Sequence, residues 1–470
     1  MGKITFLNYN NNPQAIVSAF ARISRKDKPL DEIYLSAINE EITSKEQPDY
    51  KGSSPYKTNL NILRRGHKSV AEHAVFNIAF EDFSRLFSSY LVTFRLASFT
   101  QQSQRYVKLF TKYYSPCILN EEIKSSYHKV IQKLFHSYNL LSTSLKTEDA
   151  RYLLPLACFT RVGATFNARE LRYFIEKSLA HPQPEVVEAA KELEKLATGI
   201  APSLFKDIKP LNYEWNIKSS LKKFFPPPTN NKTIRPEEVK VTLLTHTPKP
   251  QIQLIATILS HFSGESIHKS LEIIQSFLES YQEEFLNKLW NGFSYLDTPI
   301  RDLEHIQFTF SIRCSLACYH QLIRHRMCTI TSLPLQLPDS YTLPVTVKET
   351  NNEKWFRKII EDWWQVYLKI YNKEPLVAEY LLLNAVQREV IVTMNLRELY
   401  HFWRLRCCME AQWEIREVAN QILESIKEKF PLLTLKAGPM CKLGVCLEGK
   451  NCSLLSLKPN NGVNCAGNIN

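Results

Sequence analysis

The sequence predicts an α/β protein, of mixed α+β character, built as two tandem copies of one fold. Three observations lead there. Four separated segments recur in the same order at nearly one offset, and a proline-rich stretch divides the chain between the copies. Each copy also repeats the same succession of strand-like and helix-like segments.

The repeat shows in pairs. KITFLNYNNNP near the start matches VKVTLLTHTPKP from Val239, and AEHAVFNIAF from Ala71 matches LEHIQFTFSI from Leu303. SYLVTFRLAS from Ser89 matches YHQLIRHRMCT from Tyr319, and TFNARELRYF from Thr165 matches TMNLRELYHF from Thr393. His73 and His305 lie 232 residues apart, Arg95 and Arg326 231, Asn167 and Asn395 228. Ordered matches at one spacing are the signature of a duplication.

The boundary falls in FFPPPTNNKTIRPEE, where Pro226, Pro227 and Pro228 favour an extended, stiff spacer. Residues 1–223 are therefore expected to form the first domain, 224–238 the linker, 239–436 the second domain and 437–470 a cysteine-containing tail. Each half is long enough for its own core.

Within each half, ITFLNY and VTLLTH read as short strands, and HAVFNIAF and IQFTFSI carry the β-branched and aromatic residues of strands. Helical spacing follows in SRLFSSYLVTFRLAS and SLACYHQLIRHR. A strong helical run follows each asparagine. The one after Asn395, continuing to Phe430, is long for a single globular helix and is expected to break.

Composition sets limits. Hydrophobic residues at 44% and charged residues at 23% are ordinary for a soluble globular chain. No run of about 18 apolar residues predicts a membrane span, and the start MGKITFLNYN lacks an apolar signal core. Phe6 stands where a myristoylation motif needs Ser or Thr, so a cytoplasmic location and no membrane partner are expected. The net charge of +12 suggests anionic partners, either nucleic acid or small phosphorylated ligands. The basic residues are dispersed, with no tract of five. Eleven cysteines without a signal peptide argue against a disulfide framework. In the tail, Cys441, Cys446 and Cys452, with Cys465 as a fourth, leave a zinc or iron–sulfur site open. Their spacing is looser than a zinc knuckle, and reduced thiols with no metal are the expectation.

Two stretches could carry chemistry. SFTQQSQRYVKL packs Ser98, Thr100, Gln101, Gln102, Ser103, Gln104 and Arg105 after a helix-like run; such hydroxyls, amides and a guanidinium can hold a phosphate or a base edge. A solvated loop is the plainer reading. Asn395 and Arg406, eleven residues apart, return to nearly one face of a helix about 16 Å along its axis. Arg406 and Glu410 could equally be an exposed pair worth about 0.3–0.5 kcal/mol.

Together, HKSVAEHAVF, FRLASFTQQSQRY, RYLLPLACFTRVGATFNARELRYF, RHR and NLRELYHFWRLRCCMEAQWEI resemble the flavin-dependent (alternative) thymidylate synthases across most of both halves. The resemblance implies a mixed α/β core with flanking helices in each copy. It also implies methylation of deoxyuridylate (dUMP) to thymidylate, with methylenetetrahydrofolate and NADPH as co-substrates and FAD as cofactor. Nucleic acid is then not an expected partner.

Carried over residue by residue, the resemblance implies a division of labour. In the second half Gln321, Arg324, His325 and Arg326 match the segment that holds flavin and nucleotide. Asn395, Arg397 and His401 fall at flavin-contacting positions, although Asn is more usual where His401 stands. Arg406 matches the arginine that binds the uracil and assists its ionisation. The nucleotide loop there has become Ser332, Leu333, Pro334, Leu335 and Gln336, and Glu379 replaces an expected arginine.

The first half is the complement. It keeps Gln102, Ser103, Gln104, Arg105 and Arg151 for the nucleotide, with Gln101 where the family has Glu, and His67, Ser69 and Glu72 in a flavin-contacting motif. It lacks the Arg-His-Arg motif, which reads Thr93, Phe94, Arg95; Tyr90 replaces Gln321 and Ser178 replaces Arg406. A composite site and a homodimer forming a pseudo-tetramer are the expectation. The alternatives are a related flavoenzyme acting on another pyrimidine nucleotide, or an inactive regulatory relative.

Overall fold

The computed structural model describes residues 2–47, 52, 54–108, 112–118, 120–225, 233–333, 337–444 and 446. The linker prolines, the loop residues Pro334, Leu335 and Gln336, and the tail cysteines Cys452 and Cys465 lie outside the described residues. Among the described residues no helix is long and apolar enough to cross a membrane. No group of three or more metal-ligating side chains is gathered among them either.

The chain divides into two compact units, Met1–Asn230 with Thr350–Leu383 and Asn231–Glu349 with Asn384–Asn470. The first carries an antiparallel sheet of β1 (Lys3–Tyr9), β2 (Val75–Ser84), β3 (Ser98–Gln101) and β4 (Phe159–Asn167), ordered β1-β2-β4-β3. The second repeats it with β5 (Lys240–His246), β6 (Gln307–Ser315), β7 (Thr329–Ser332) and β8 (Gln387–Asn395), ordered β5-β6-β8-β7. Even the register recurs: Val75 faces Asn167 in one sheet, and Gln307 faces Asn395 in the other. The duplication read from sequence is thus a duplication of fold.

Each central strand alternates. Phe76, Ile78 and Phe80 on β2, and Phe308, Phe310 and Ile312 on β6, point into the cores, because a period of two sends successive side chains to opposite faces. The first unit also contains α1 (Arg85–Leu91), α2 (Glu121–Ser144) and α3 (Ala168–Ser178). Downstream are α4 (Leu316–Leu322), α5 (Glu353–Tyr371), α6 (Leu396–Arg406) and α7 (Trp413–Lys429).

Local chemistry sets the helix ends. Asn167 caps α3 by accepting from the Glu170 N–H, and Asn395 caps α6 by accepting from the Glu398 N–H, each at 2.8 Å. Ser84 and Ser315 cap α1 and α4 with their hydroxyls. Each serine in turn donates to a buried glutamate, Glu185 at 2.5 Å in one unit and Glu414 in the other. The long run after Asn395 breaks as expected. α6 stops at Arg406, and the Gln412 side chain starts α7 by accepting from the Glu414 and Ile415 N–H groups at 3.2 and 3.3 Å.

The compact units do not coincide with the halves drawn on the sequence. Residues 350–383 follow the linker, yet they belong to the first unit. α5 buries Phe356, Ile359, Trp363, Trp364, Tyr367 and Ile370 along one stripe and packs against α2, which offers Tyr127, Val130, Ile131 and Leu134. The Trp363 indole N–H donates to the Leu381 carbonyl at 2.8 Å. Beyond α5 the backbone joins the first unit as well: Leu156 N–H donates to Leu382 O at 2.8 Å and Ala157 N–H to Tyr380 O at 2.7 Å. Glu379 accepts from the Gln183 amide at 2.6 Å. Periodicity shows that α5 buries a face, but not whose core receives it.

Candidate functional site

In the second unit the cap at Ser315 ends β6 and starts α4, placing Gln321 in its last turn and Arg324, His325 and Arg326 just beyond. Gln321 is held by its amide, which donates to Gln412 Oε1 at 3.2 Å. His325 is buried between two groups of α6. Its Nδ1 lies 3.1 Å from Glu398 Oε1, and its Nε2 accepts from Arg406 Nε at 3.0 Å. Arg406 also reaches the Gln321 carbonyl at 3.5 Å. The Phe402 ring meets His325 edge-on at 4.7 Å, and His401 lies 5.8 Å away. Six predicted residues, Gln321, Arg324, His325, Arg326, His401 and Arg406, thus belong to one neighbourhood.

The electrostatics follow from that packing. Burial lowers the His325 pKa, the Glu398 contact pulls it back up, and Arg406 and His401 push it down; the net shift is downward. Its contact with Glu398 is therefore a hydrogen bond from a neutral ring at pH 7. The neutral form is favoured by folding, so this group's stabilisation is full above the ordinary imidazole value of 6.5 and is lost as pH falls through the depressed folded value. Arg324 is also pulled down, first by burial and then by the Arg406 charge. Two guanidinium groups are held close enough to repel, an arrangement that an anion relieves.

Asn395 and Arg397 have structural engagements. Asn395 is the α6 cap, and Arg397 donates to the Pro299 carbonyl and to Glu304 Oε1, both at 2.8 Å. The first unit repeats that ion pair between Arg169 and Glu72 at 2.6 Å. Ser69 is exposed in the turn just before Glu72. Beside it lies a cavity of about 590 Å³, whose lining includes Arg64, Lys68, Arg169, Tyr173, Lys206 and Lys209.

The predicted nucleotide residues of the first unit also gather. Gln101 ends β3 and donates to Ser88 Oγ at 2.8 Å and to Thr160 Oγ1 at 3.3 Å. Gln102 extends the edge through its N–H to Arg161 O at 2.9 Å. Ser103 Oγ accepts from the Arg105 N–H at 3.1 Å, and Gln104 is buried between them. Arg105 reaches Glu148 Oε2 at 2.8 Å, while buried Arg151 donates to the Glu148 carbonyl at 3.0 Å. Both arginines converge on Glu148.

Where the second unit holds His325 and Arg406, the first holds Phe94 and Ser178. Phe94 meets Phe174 edge-on at 4.8 Å and 77°, close to the 4.7 Å and 76° of His325 on Phe402. The neighbouring contact recurs too, Phe94 to Tyr173 at 5.7 Å against His325 to His401 at 5.8 Å. Tyr90 fills the Gln321 position, with burial pushing its phenol up to about 12, and Ser178 is fully buried beside it. The scaffold is retained, with a phenyl ring and a hydroxyl in place of the imidazole and the guanidinium. On the loop side the loss is reversed, for Leu333 follows β7 where Gln102 follows β3.

Three contributors escaped the sequence reading: Glu398, Gln412 and Glu148. Only Glu398 leaves a local signal, standing three residues after the capping asparagine in both NLRE and NARE.

Comparison with known proteins agrees with the duplicated scaffold. The family model described as thymidylate synthase complementing protein matches residues 5–203 and again 242–432. Flavin-dependent thymidylate synthases from Pyrococcus furiosus and Pyrococcus horikoshii are 34% and 35% identical over 228 and 230 residues; each match covers 45% of this chain and 90% of the relative. The enzyme of the same description from Clostridium tetani is 32% identical over 236 residues, covering 45% and 91%. Among solved structures, a UMP/dUMP methylase from Streptomyces cacaoi bound with 5-Br dUMP covers 44% of this chain and 94% of its own, at 19% identity and a TM-score of 0.36. Two tandem matches to one enzyme domain define the class, a duplicated flavin-dependent methyltransferase. The chain belongs to the family of flavin-dependent thymidylate synthases.

Proposed function

We propose that the chain methylates dUMP to thymidylate, taking the carbon from methylenetetrahydrofolate and the electrons from NADPH through FAD. Working sites combine the loop Gln101–Arg105 and Arg151 of a first repeat with Gln321–Arg326 and Arg406 of a second repeat, so that two chains hold two sites. One observation carries this reading: the losses are complementary. The first repeat keeps the loop arginines and has Phe94 and Ser178 in place of His325 and Arg406; the second keeps those two and has Leu333 in the loop. Random decay of an idle gene would rarely remove opposite sides of a site from opposite copies.

The side chains present fit a flavin dinucleotide. Arg324 and Arg406 repel each other and suit an anion, and the cavity beside Ser69 joins Lys68, Arg64 and Lys209 to an aromatic wall at Tyr173. Ser69, Arg324, His325, Arg326, Asn395, Arg397 and His401 are the proposed holders. When bound, the reduced flavin supplies the hydride that the protein itself cannot. Arg406 binds the uracil carbonyl edge and steadies negative charge on the ring, while Arg105, Arg151 and Ser103 hold the phosphate. The residues bind and orient, and the cofactor carries the redox step.

The test is tritium release from 5-tritiated dUMP with FAD, NADPH and methylenetetrahydrofolate, each omitted in turn. Release that needs all three is the expected result. Flavin binding without release would favour another pyrimidine or a regulatory role, for which Gln101 in place of the family's Glu is the motivating difference. Arg105→Ala is expected to raise the KM for dUMP roughly 10- to 100-fold, since a charge-assisted contact is worth about 1.5–3 kcal/mol. Ser178→Arg should add no activity; doubled turnover would sink the composite site.

A further inference from the structure

We propose that Glu398 is a positioning residue for Arg406, acting through His325. The inference rests on the reading of Arg406 above. An arginine Nε–H can only donate, so the His325 Nε2 that faces it at 3.0 Å must carry a lone pair. A neutral imidazole has a single N–H, which then resides on Nδ1 and needs an acceptor. Glu398 Oε1 is that acceptor at 3.1 Å. The carboxylate is itself fixed, because Glu398 is buried in the first turn of α6 and its own N–H is tied to Asn395. Glu398 thus selects the His325 tautomer, the tautomer presents a lone pair to Arg406 Nε, and that bond sets the direction of the guanidinium fork.

The first repeat serves as an internal control. Glu170 is retained there with its Asn167 cap, but Phe94 and Ser178 offer no ring nitrogen and no guanidinium. Glu170 accepts instead from the Leu96 N–H at 3.3 Å. The same glutamate supports the fold in one repeat and steers an arginine in the other.

The groups facing His325 are Glu398, Arg406 and His401 of α6, with Arg324 and Arg326 in its own turn. Protonation of His325 would place an N–H on Nε2 opposite the arginine Nε–H, two donors face to face. Turnover should therefore fall on the acid side as His325 takes up a proton. Glu398 holds that pKa up, so removing its charge should move the acid limb to lower pH.

The experiment uses the full chain labelled with ¹⁵N-histidine, as wild type and as Glu398→Gln and Glu398→Ala. His325 is expected as the Nδ1–H tautomer in wild type and Glu398→Gln, whose amide oxygen still accepts, and as a mixture in Glu398→Ala. A dominant Nε2–H tautomer in wild type would overturn the proposal, whatever the turnover. In tritium release, Glu398→Ala should lower kcat on the order of 10- to 100-fold, the scale for a misplaced reacting group. Glu398→Gln should recover most of that, with its acid limb shifted down. Equal losses in both variants, or an acid limb unmoved in Glu398→Gln, would also overturn it. Absence of release in wild type would defeat the proposed reaction, leaving the tautomer to decide this inference separately.

Discussion

Arg406→Ala is expected to reduce thymidylate formation by on the order of 10²–10⁴-fold, with flavin still bound. Three losses coincide at that position. The guanidinium that would meet the uracil edge is gone, and His325 Nε2 loses its donor while remaining buried. The cation that lowers the His325 pKa disappears as well, so the imidazole should take up a proton more readily, and Arg324 loses a repelling neighbour. A methyl group replaces none of this. Tritium release and single-turnover flavin oxidation measure the effect, and retention of more than about a tenth of wild-type turnover would show that the uracil is handled elsewhere. Lysine at the same position should rescue poorly, because a point charge cannot donate to His325 and to a ligand with the geometry of a fork.

The second large effect is on stability. Trp363→Ala is expected to cost about 3–5 kcal/mol, the range for deleting a buried aromatic. The Trp363 side chain is fully buried, packs at 5.8 Å from Trp364 and 5.3 Å from Tyr367, and donates to Leu381 O. The cost combines a cavity with an orphaned carbonyl. It should appear in the unfolding transition of the unit containing residues 1–230, although Trp363 lies beyond the linker. Denaturant titration followed by near-ultraviolet circular dichroism tests this; a change below about 1 kcal/mol would mean that α5 is not integral to that unit.

Much of the fold was legible because the repeat leaves local marks. Asn167 and Asn395 announce helix starts, and alternation in VFNIAF and QFTFSI announces strands. The candidate site was legible through the family resemblance, set against the second copy of the repeat: Arg324–His325–Arg326 against Thr93–Phe94–Arg95, and Arg406 against Ser178. Engagements made across long sequence separations were not legible. Glu398 meets His325 across 73 positions, and Glu148 meets Arg105 across 43. No periodicity encodes which charged residue a buried imidazole will find. The destination of α5 was hidden for a related reason, since an apolar stripe fits either core equally well in outline.

That destination bears on how the protein is made. A chain emerging from the ribosome normally folds its N-terminal domain while the rest is still being synthesised. Here the first unit includes α5 and the segment that follows it to Leu383, so its full set of contacts is not available until residue 383 has emerged. Until then α2 has no α5 to pack against. A chain ending at the proline linker would lack α5, and it is expected to be cut by protease faster than the full chain; equal rates would show that residues 1–225 close without it.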